Sequence, residues 1–149
     1  MNMISETERI KVGKREQLTI DAKVENLSQV LAFLDEKLEE VGCSPKVLMQ
    51  LDVAVEEIYV NIASYAYGDG EGKAEIIIDI SDDPKSVEIE FRDSGMEFDP
   101  LAKPDPDVSL PAEERQVGGL GIYMVKKSMD EMSYKYENGQ NILIIRKSL

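Results

Sequence analysis

Apolar residues recur along the chain with two different periods, and those periods predict its elements. In "EQLTIDAKV" Leu18 and Ile20 alternate with polar neighbours, the period-two pattern of a short strand. Over "LSQVLAFLDEKLEEVG" Leu27, Val30, Leu31, Leu34 and Leu38 recur close to every 3.6 residues, so one face of a helix is apolar. Asn26 or Ser28 can cap its start, and Gly42 stands where a C-terminal cap is expected. Ser44-Pro45 opens a second helix, because proline suits a first helical position whose N–H has no intrahelical partner. Its stripe runs through Leu48, Leu51, Val55, Ile58, Ile62 and Tyr65, and Gly68 ends it.

"KAEIIIDIS" and "SVEIEFRD" follow as strands around the turn "DDPK", a hairpin signal. From Glu97 to Val117 the periodicity is lost, and Pro100, Pro104, Pro106 and Pro111 fall in that stretch. A loop of that length within a compact domain is functional or mobile, and this one has little apolar area to bury. Gly118-Gly119-Leu120-Gly121 comes next; "IYMVKKSMDEM" reads as a third helix, and "SYKYENGQNILIIRK" as a hairpin around Asn138-Gly139. Residues 1–14 are polar and mixed in charge and read as a flexible segment, leaving 15–149 as a single domain. The order β-α-α-β-β-loop-α-β-β predicts an α+β two-layer sandwich. Its mixed, mostly antiparallel sheet is covered on one face by about three helices.

Composition narrows the class. A chain of 149 residues, 42% apolar and 32% charged, suits one globular domain with a sizeable core. No apolar run approaches the roughly 20 residues that cross a bilayer, and the N-terminus lacks a signal-peptide core, so no membrane partner is expected. The single cysteine, Cys43, permits no internal disulfide, which fits a reducing cytoplasm. A net charge of −13 with no local basic patch repels phosphate backbones, so no nucleic-acid partner is expected. The absence of histidine removes imidazole metal sites, Ser-His-Asp triads and a phosphohistidine on this chain.

Three groups of residues carry candidate chemistry. Glu57 and Asn61 stand four apart on the second helix, so they point the same way at the border of its apolar stripe. A glutamate there can take a proton from a hydroxyl, and an asparagine oxygen can bind a hard cation; a plain solvated face has the same spacing. Asp93 lies in register with Val87, Ile89 and Phe91 at a strand end. It can cap the Asp-x-Gly turn or accept from an exocyclic amine such as that of adenine, with Gly95 letting a ring come close. The "GGLG" stretch exposes N–H groups at a helix start, which suits either an anion site or a simple turn.

A Glu-x-x-x-Asn helix, an Asp-x-Gly strand end, a long loop and a Gly-x-Gly helix start, in that order, form a full nucleotide site. With "LDVAVEEIYVNIASYAY", "FRDSGMEFDP" and "RQVGGLGIYMVKKSMDEMSY", the chain resembles the GHKL (histidine-kinase-like) ATPase superfamily over about residues 15–147. Within it, the chain resembles the anti-sigma factor serine/threonine kinases of bacteria. The resemblance implies a Bergerat-type ATP-binding fold and transfer of the γ-phosphoryl group of Mg-ATP to a serine of an anti-sigma-factor antagonist protein. It implies a sigma factor as a second partner, and a homodimer, since the family's kinases are often dimers. By that resemblance Glu57 is the general base and Asn61 binds Mg²⁺ beside the nucleotide. Asp93, with Gly95 beside it, reads the adenine amine, and Gly118, Gly119 and Gly121 bind phosphates. Arg115, at the end of the loop, is the candidate contact for the γ-phosphate. Tyr65 stands where family members often carry a histidine. Two other readings stay open: a nucleotide-binding regulatory module that controls partner binding without phosphotransfer, and a stand-alone histidine-kinase catalytic domain acting on a separate acceptor.

Overall fold

A computed structural model describes residues 7–102 and 120–149. Six strands, β1 (Glu8–Val12), β2 (Arg15–Asp21), β3 (Lys73–Asp82), β4 (Lys85–Asp93), β5 (Glu131–Glu137) and β6 (Gln140–Ser148), form one sheet in the order β1-β2-β3-β4-β6-β5. Every neighbouring pair is antiparallel, so the mixed sheet expected from sequence is antiparallel throughout its described strands. Short turns enforce this for β1–β2, β3–β4 and β5–β6. Asn138 and Gly139 both take positive φ, 53° and 77°, the geometry a two-residue hairpin needs to match the strand twist.

Three helices, α1 (Leu27–Glu40), α2 (Pro45–Asn61) and α3 (Leu120–Ser128), cover one face of the sheet. The period of two decides which side chains meet them: Leu18 and Ile20, Ile76 and Ile78, Val87, Ile89 and Phe91, and Ile145 are all buried there. Leu34 and Leu38 of α1, Leu51, Val55 and Ile58 of α2, and Val125 of α3 complete the core. The Ser44 hydroxyl caps α2 by accepting from the Val47 N–H at 3.3 Å. Asn26 does not cap α1; its amide instead donates back to the Asp21 carbonyl. No helix among the described residues is long and apolar enough to cross a membrane.

The structure departs from the sequence reading in three further places. Residues 8–12, expected within a flexible segment, form the edge strand β1 against β2, with an Arg9–Glu16 ion pair of 2.9 Å across the hairpin. The third helix ends at Ser128 instead of running through Met132, because the chain enters the sheet at Asp130. There the N–H of Asp130 reaches the Arg146 carbonyl, and its carboxylate accepts from the Ser148 N–H at 2.6 Å. That bond holds the Asp130 carboxyl below the ordinary aspartate range. Tyr65, expected on the apolar stripe of α2, is 69% exposed, because α2 widens into a π-helical turn over Ile62–Ala66 and the stripe loses register.

One contact between α1 and α2 opposes the packing. Asp35 and Asp52 face each other, and each has a buried Oδ1 with no hydrogen-bond partner among the described residues. Two carboxylates are both acceptors, so only a shared proton can join them. Burial first, then the hydrogen bond and charge of Asp35, and the charge of Glu56, push the Asp52 carboxyl up to about 7. The native state therefore keeps a proton that the unfolded chain releases near pH 4, and stability falls as pH rises from about 4 to about 7. Asp52→Asn removes this dependence. It should gain about 1–2 kcal/mol over wild type between pH 5 and pH 8.5, the linkage value being reduced because water reaches the pair. Urea unfolding at both pH values checks this; parallel stabilities for the two proteins would show the pair to be uncoupled from folding.

Candidate functional site

The candidate residues come from three elements, and α2 is the one that gathers them. Glu57 and Asn61 lie one turn apart on its last two turns, both half-buried. Beyond them the π-helical turn aims the Ala66 carbonyl at the end of β4, where it accepts from the Met96 N–H at 2.8 Å. Gly95 makes that approach feasible. A Cβ on Gly95 would stand 2.2 Å from the Ala66 oxygen and 2.6 Å from its carbonyl carbon. The close neighbour of Gly95 is thus backbone of this chain.

Asp93, the last residue of β4, is buried at 6% exposure. Its Oδ1 accepts from the Gly95 N–H and from the Asn141 amide, both at 2.9 Å. The first of these is the turn cap expected of Asp-x-Gly. No described residue donates to Oδ2. A carboxylate holding both donors on one oxygen keeps the other as an acceptor.

Sequence reasoning missed Asn141. It sits opposite Asp93 in the β4–β6 ladder, is 7% exposed, and uses both ends of its amide. Its nitrogen also donates to the Met96 carbonyl at 2.9 Å, while its oxygen accepts from the Phe98 N–H at 3.0 Å and the Tyr134 hydroxyl at 2.5 Å. One buried side chain thereby fixes the carboxylate and the turn that follows it. A signal was available: Asn141 shares a strand face with Leu143 and Ile145, and a polar residue in a core register needs buried partners. Tyr67 adds a further tie, donating to the Lys73 carbonyl and accepting from the Ser94 N–H at 2.9 Å. Burial, followed by lesser influences that include the Asp93 charge, pushes both the Tyr67 and Tyr134 hydroxyls above the usual phenol range.

The third element is the first turn of α3. A Cβ on Gly121 would lie 1.9 Å from Oε1 of Glu57 and 2.2 Å from its Cδ, so the carboxylate rests against the glycine. Asn61, one turn further along α2, has no hydrogen-bond partner for its amide among the described side chains. Among the described residues no group of three or more His, Cys, Asp or Glu side chains could hold a metal ion. An amide oxygen beside a carboxylate suits Mg²⁺, which takes few protein ligands and fills its shell with water and phosphate oxygens. The structure sets Glu57 against Gly121, with Asn61 one turn along α2, and gathers Asp93, Gly95 and Asn141 on the other side, joined through the end of α2. Arg115, Gly118 and Gly119, and most of the proline-rich loop, lie outside the described residues.

Comparison with known proteins defines the class. The histidine kinase-like ATPase domain family matches residues 20–147, and the chain belongs to that family. Its ATP-binding character comes with that membership. The serine-protein kinase RsbW of Bacillus cereus strain Q1 is 25% identical over 134 residues, covering 87% of this chain and 82% of the relative. The RsbW protein of Bacillus thuringiensis subsp. konkukian is similar to the same extent. Among solved structures, the RsbU and RsbW domains of Rv1364c from Mycobacterium tuberculosis superpose with a TM-score of 0.63 at 18% identity. That match covers 89% of this chain and 32% of the other, and it supports the α+β fold.

Gly95→Ala tests the junction of α2 and β4. The neighbour is backbone, which cannot swing aside, so the substitution should destabilise the protein by about 2–3 kcal/mol. Urea denaturation measures the loss. A change below about 0.5 kcal/mol, the range of ordinary surface substitutions, would show that the junction yields easily.

Proposed function

We propose that this chain is a Mg-ATP-dependent serine protein kinase that acts as an anti-sigma factor and phosphorylates a serine of an antagonist protein. The observation that carries the reading is the Glu57 carboxylate, one turn from Asn61 on α2 and against the first turn of α3. The likeness to RsbW kinases over most of both chains supports it. So does the lack of any histidine, which leaves no phosphohistidine acceptor on this chain.

In this reading adenine docks at Asp93, whose Oδ2, without a donor among the described residues, accepts from the exocyclic amine. Asn141 and the Gly95 N–H hold that carboxylate in place. Asn61 holds Mg²⁺, which neutralises phosphate charge when bound. Glu57 takes the proton of the acceptor serine as its oxygen forms a bond to the γ-phosphorus. The bond to the β-phosphate oxygen breaks, and ADP leaves. Phosphoryl transfer asks a protein mainly for positioning and charge neutralisation. Gly118 and Gly119 would contribute N–H groups to the phosphates, and Arg115 a positive charge to the γ-phosphate.

Incubation with labelled ATP and a small antagonist protein encoded by a neighbouring gene tests the reading directly. Label on a serine of the partner is the expected result; ATP binding without transfer would favour a regulatory module instead. Two variants separate the roles. Glu57→Ala should keep nucleotide affinity and lose about 10²–10⁴-fold in transfer rate, roughly 3–5 kcal/mol, because a general base contributes mainly in the transition state. Wild-type transfer in that variant would remove the general-base assignment. Asp93→Asn should weaken adenine nucleotides selectively, since an amide presents a donor as well as an acceptor to the ring. Equal affinity of the wild type for ATP and GTP would count against Asp93 as the base reader.

A further inference from the structure

We infer that Gly121 is a positioning residue for Glu57: having no side chain, it keeps open the space against the first turn of α3 in which the Glu57 carboxylate lies. This rests on the reading of Glu57 as the general base. It gives Gly121 a part that differs from phosphate binding.

The requirement is steric. An alanine Cβ at 121 would stand 1.9 Å from Oε1, 2.2 Å from Cδ and 2.8 Å from Oε2 of Glu57, where non-bonded heavy atoms settle at about 3.5–4.0 Å. Nothing in the local backbone asks for glycine, since Gly121 is helical and has no positive φ. At a helical position with ordinary φ, alanine is tolerated at least as well as glycine. The space is therefore the reason for the glycine, and the group that fills it belongs to this chain.

Which side gives way is also decided by the structure. α3 is anchored in the core by Val125 and Met129, and its backbone cannot retreat without disturbing them. The carboxylate is the far end of a flexible side chain on a half-buried position, and it can rotate. A methyl group at 121 thus displaces the carboxylate and leaves the helices in place. A displacement of about 1 Å in a catalytic group can cost about 10²-fold in rate. α3 begins inside the Gly-x-Gly stretch, at Leu120, so the wall that locates Glu57 is continuous with the segment expected to meet the phosphates.

The experiment uses the full chain with ¹³C-labelled glutamate, the Glu57 carboxyl resonance being assigned by its loss in Glu57→Gln. Gly121→Ala is compared with wild type in that spectrum, in ADP affinity by calorimetry, in phosphate release from Mg-ATP, and in thermal unfolding. The expected outcome is a shifted Glu57 resonance, ADP affinity within about three-fold and turnover lower by about 10²-fold. The melting temperature should be equal or higher. Adding Gly121→Ala to Glu57→Ala should raise the melting temperature, because the clash is gone and alanine favours the helix. An unmoved Glu57 resonance overturns the inference, whether ADP affinity is lost, which assigns the glycine to phosphate, or kept. Unchanged turnover with a shifted resonance overturns it too. A wild type that neither binds ADP nor releases phosphate would sink the proposed kinase, and the resonance and the stability cycle would still decide the role of Gly121.

Discussion

The close approach of Gly95 to the Ala66 carbonyl holds the site together. α2 packs on the sheet through Leu51, Val55 and Ile58, which places its axis but not its end. The end is placed by backbone. The π-helical turn carries the Ala66 oxygen to the Met96 N–H, and only glycine at 95 lets the two segments touch. Tyr59 and Tyr67 tie the same stretch to the sheet, through the carbonyls of Asp21 and Lys23 and through Lys73. With that end fixed, Glu57 and Asn61 stand at a set height above the sheet, and Asp93 lies two residues from Gly95 at the same junction. Moving the junction would separate a candidate base and cation ligand from a candidate base reader.

Around Asp93 the buried polar groups are paired with one another. A buried carboxylate left alone costs several kcal/mol, and the pairing with Gly95 and Asn141 offsets this on one oxygen. Asn141 is in turn held by Tyr134 and by the Phe98 N–H, so the network closes on itself. A closed network locks the orientation of each member, which is what an acceptor needs if it is to choose one base edge over another. The Asp35–Asp52 pair is the contrast. It also places acceptors together inside the protein, but with no donor among the described residues, so a proton must serve.

Much of the architecture could be read along the chain. The alternation in "KAEIIIDIS" and "SVEIEFRD" and the 3.6-residue stripe before Gly42 state which face is apolar, and burial of that face follows whatever the neighbours are. Turn chemistry at Asn138-Gly139 and the proline at 45 mark ends for local steric reasons. The order of elements and the motif spacing pointed to the histidine kinase-like ATPase family, and residues 20–147 belong to it.

What the chain could not state locally is which groups meet. β1 exists because β2 offers it a free edge, and α3 stops at Ser128 because β6 offers Asp130 its ladder. Tyr65 left the apolar stripe when the helix widened to deliver Ala66 to Met96. The pairing of Asp93 with Asn141 spans 48 positions, and that of Glu57 with Gly121 joins two helices whose sequences give no hint of each other. Periodicity reports how a residue relates to its own element, because it comes from backbone geometry within that element. The register of one strand on another and the crossing of two helices depend on the packing of the whole core. Tertiary structure therefore decided that Gly121 faces a carboxylate and that, among the described residues, Asp93 keeps one oxygen without a donor.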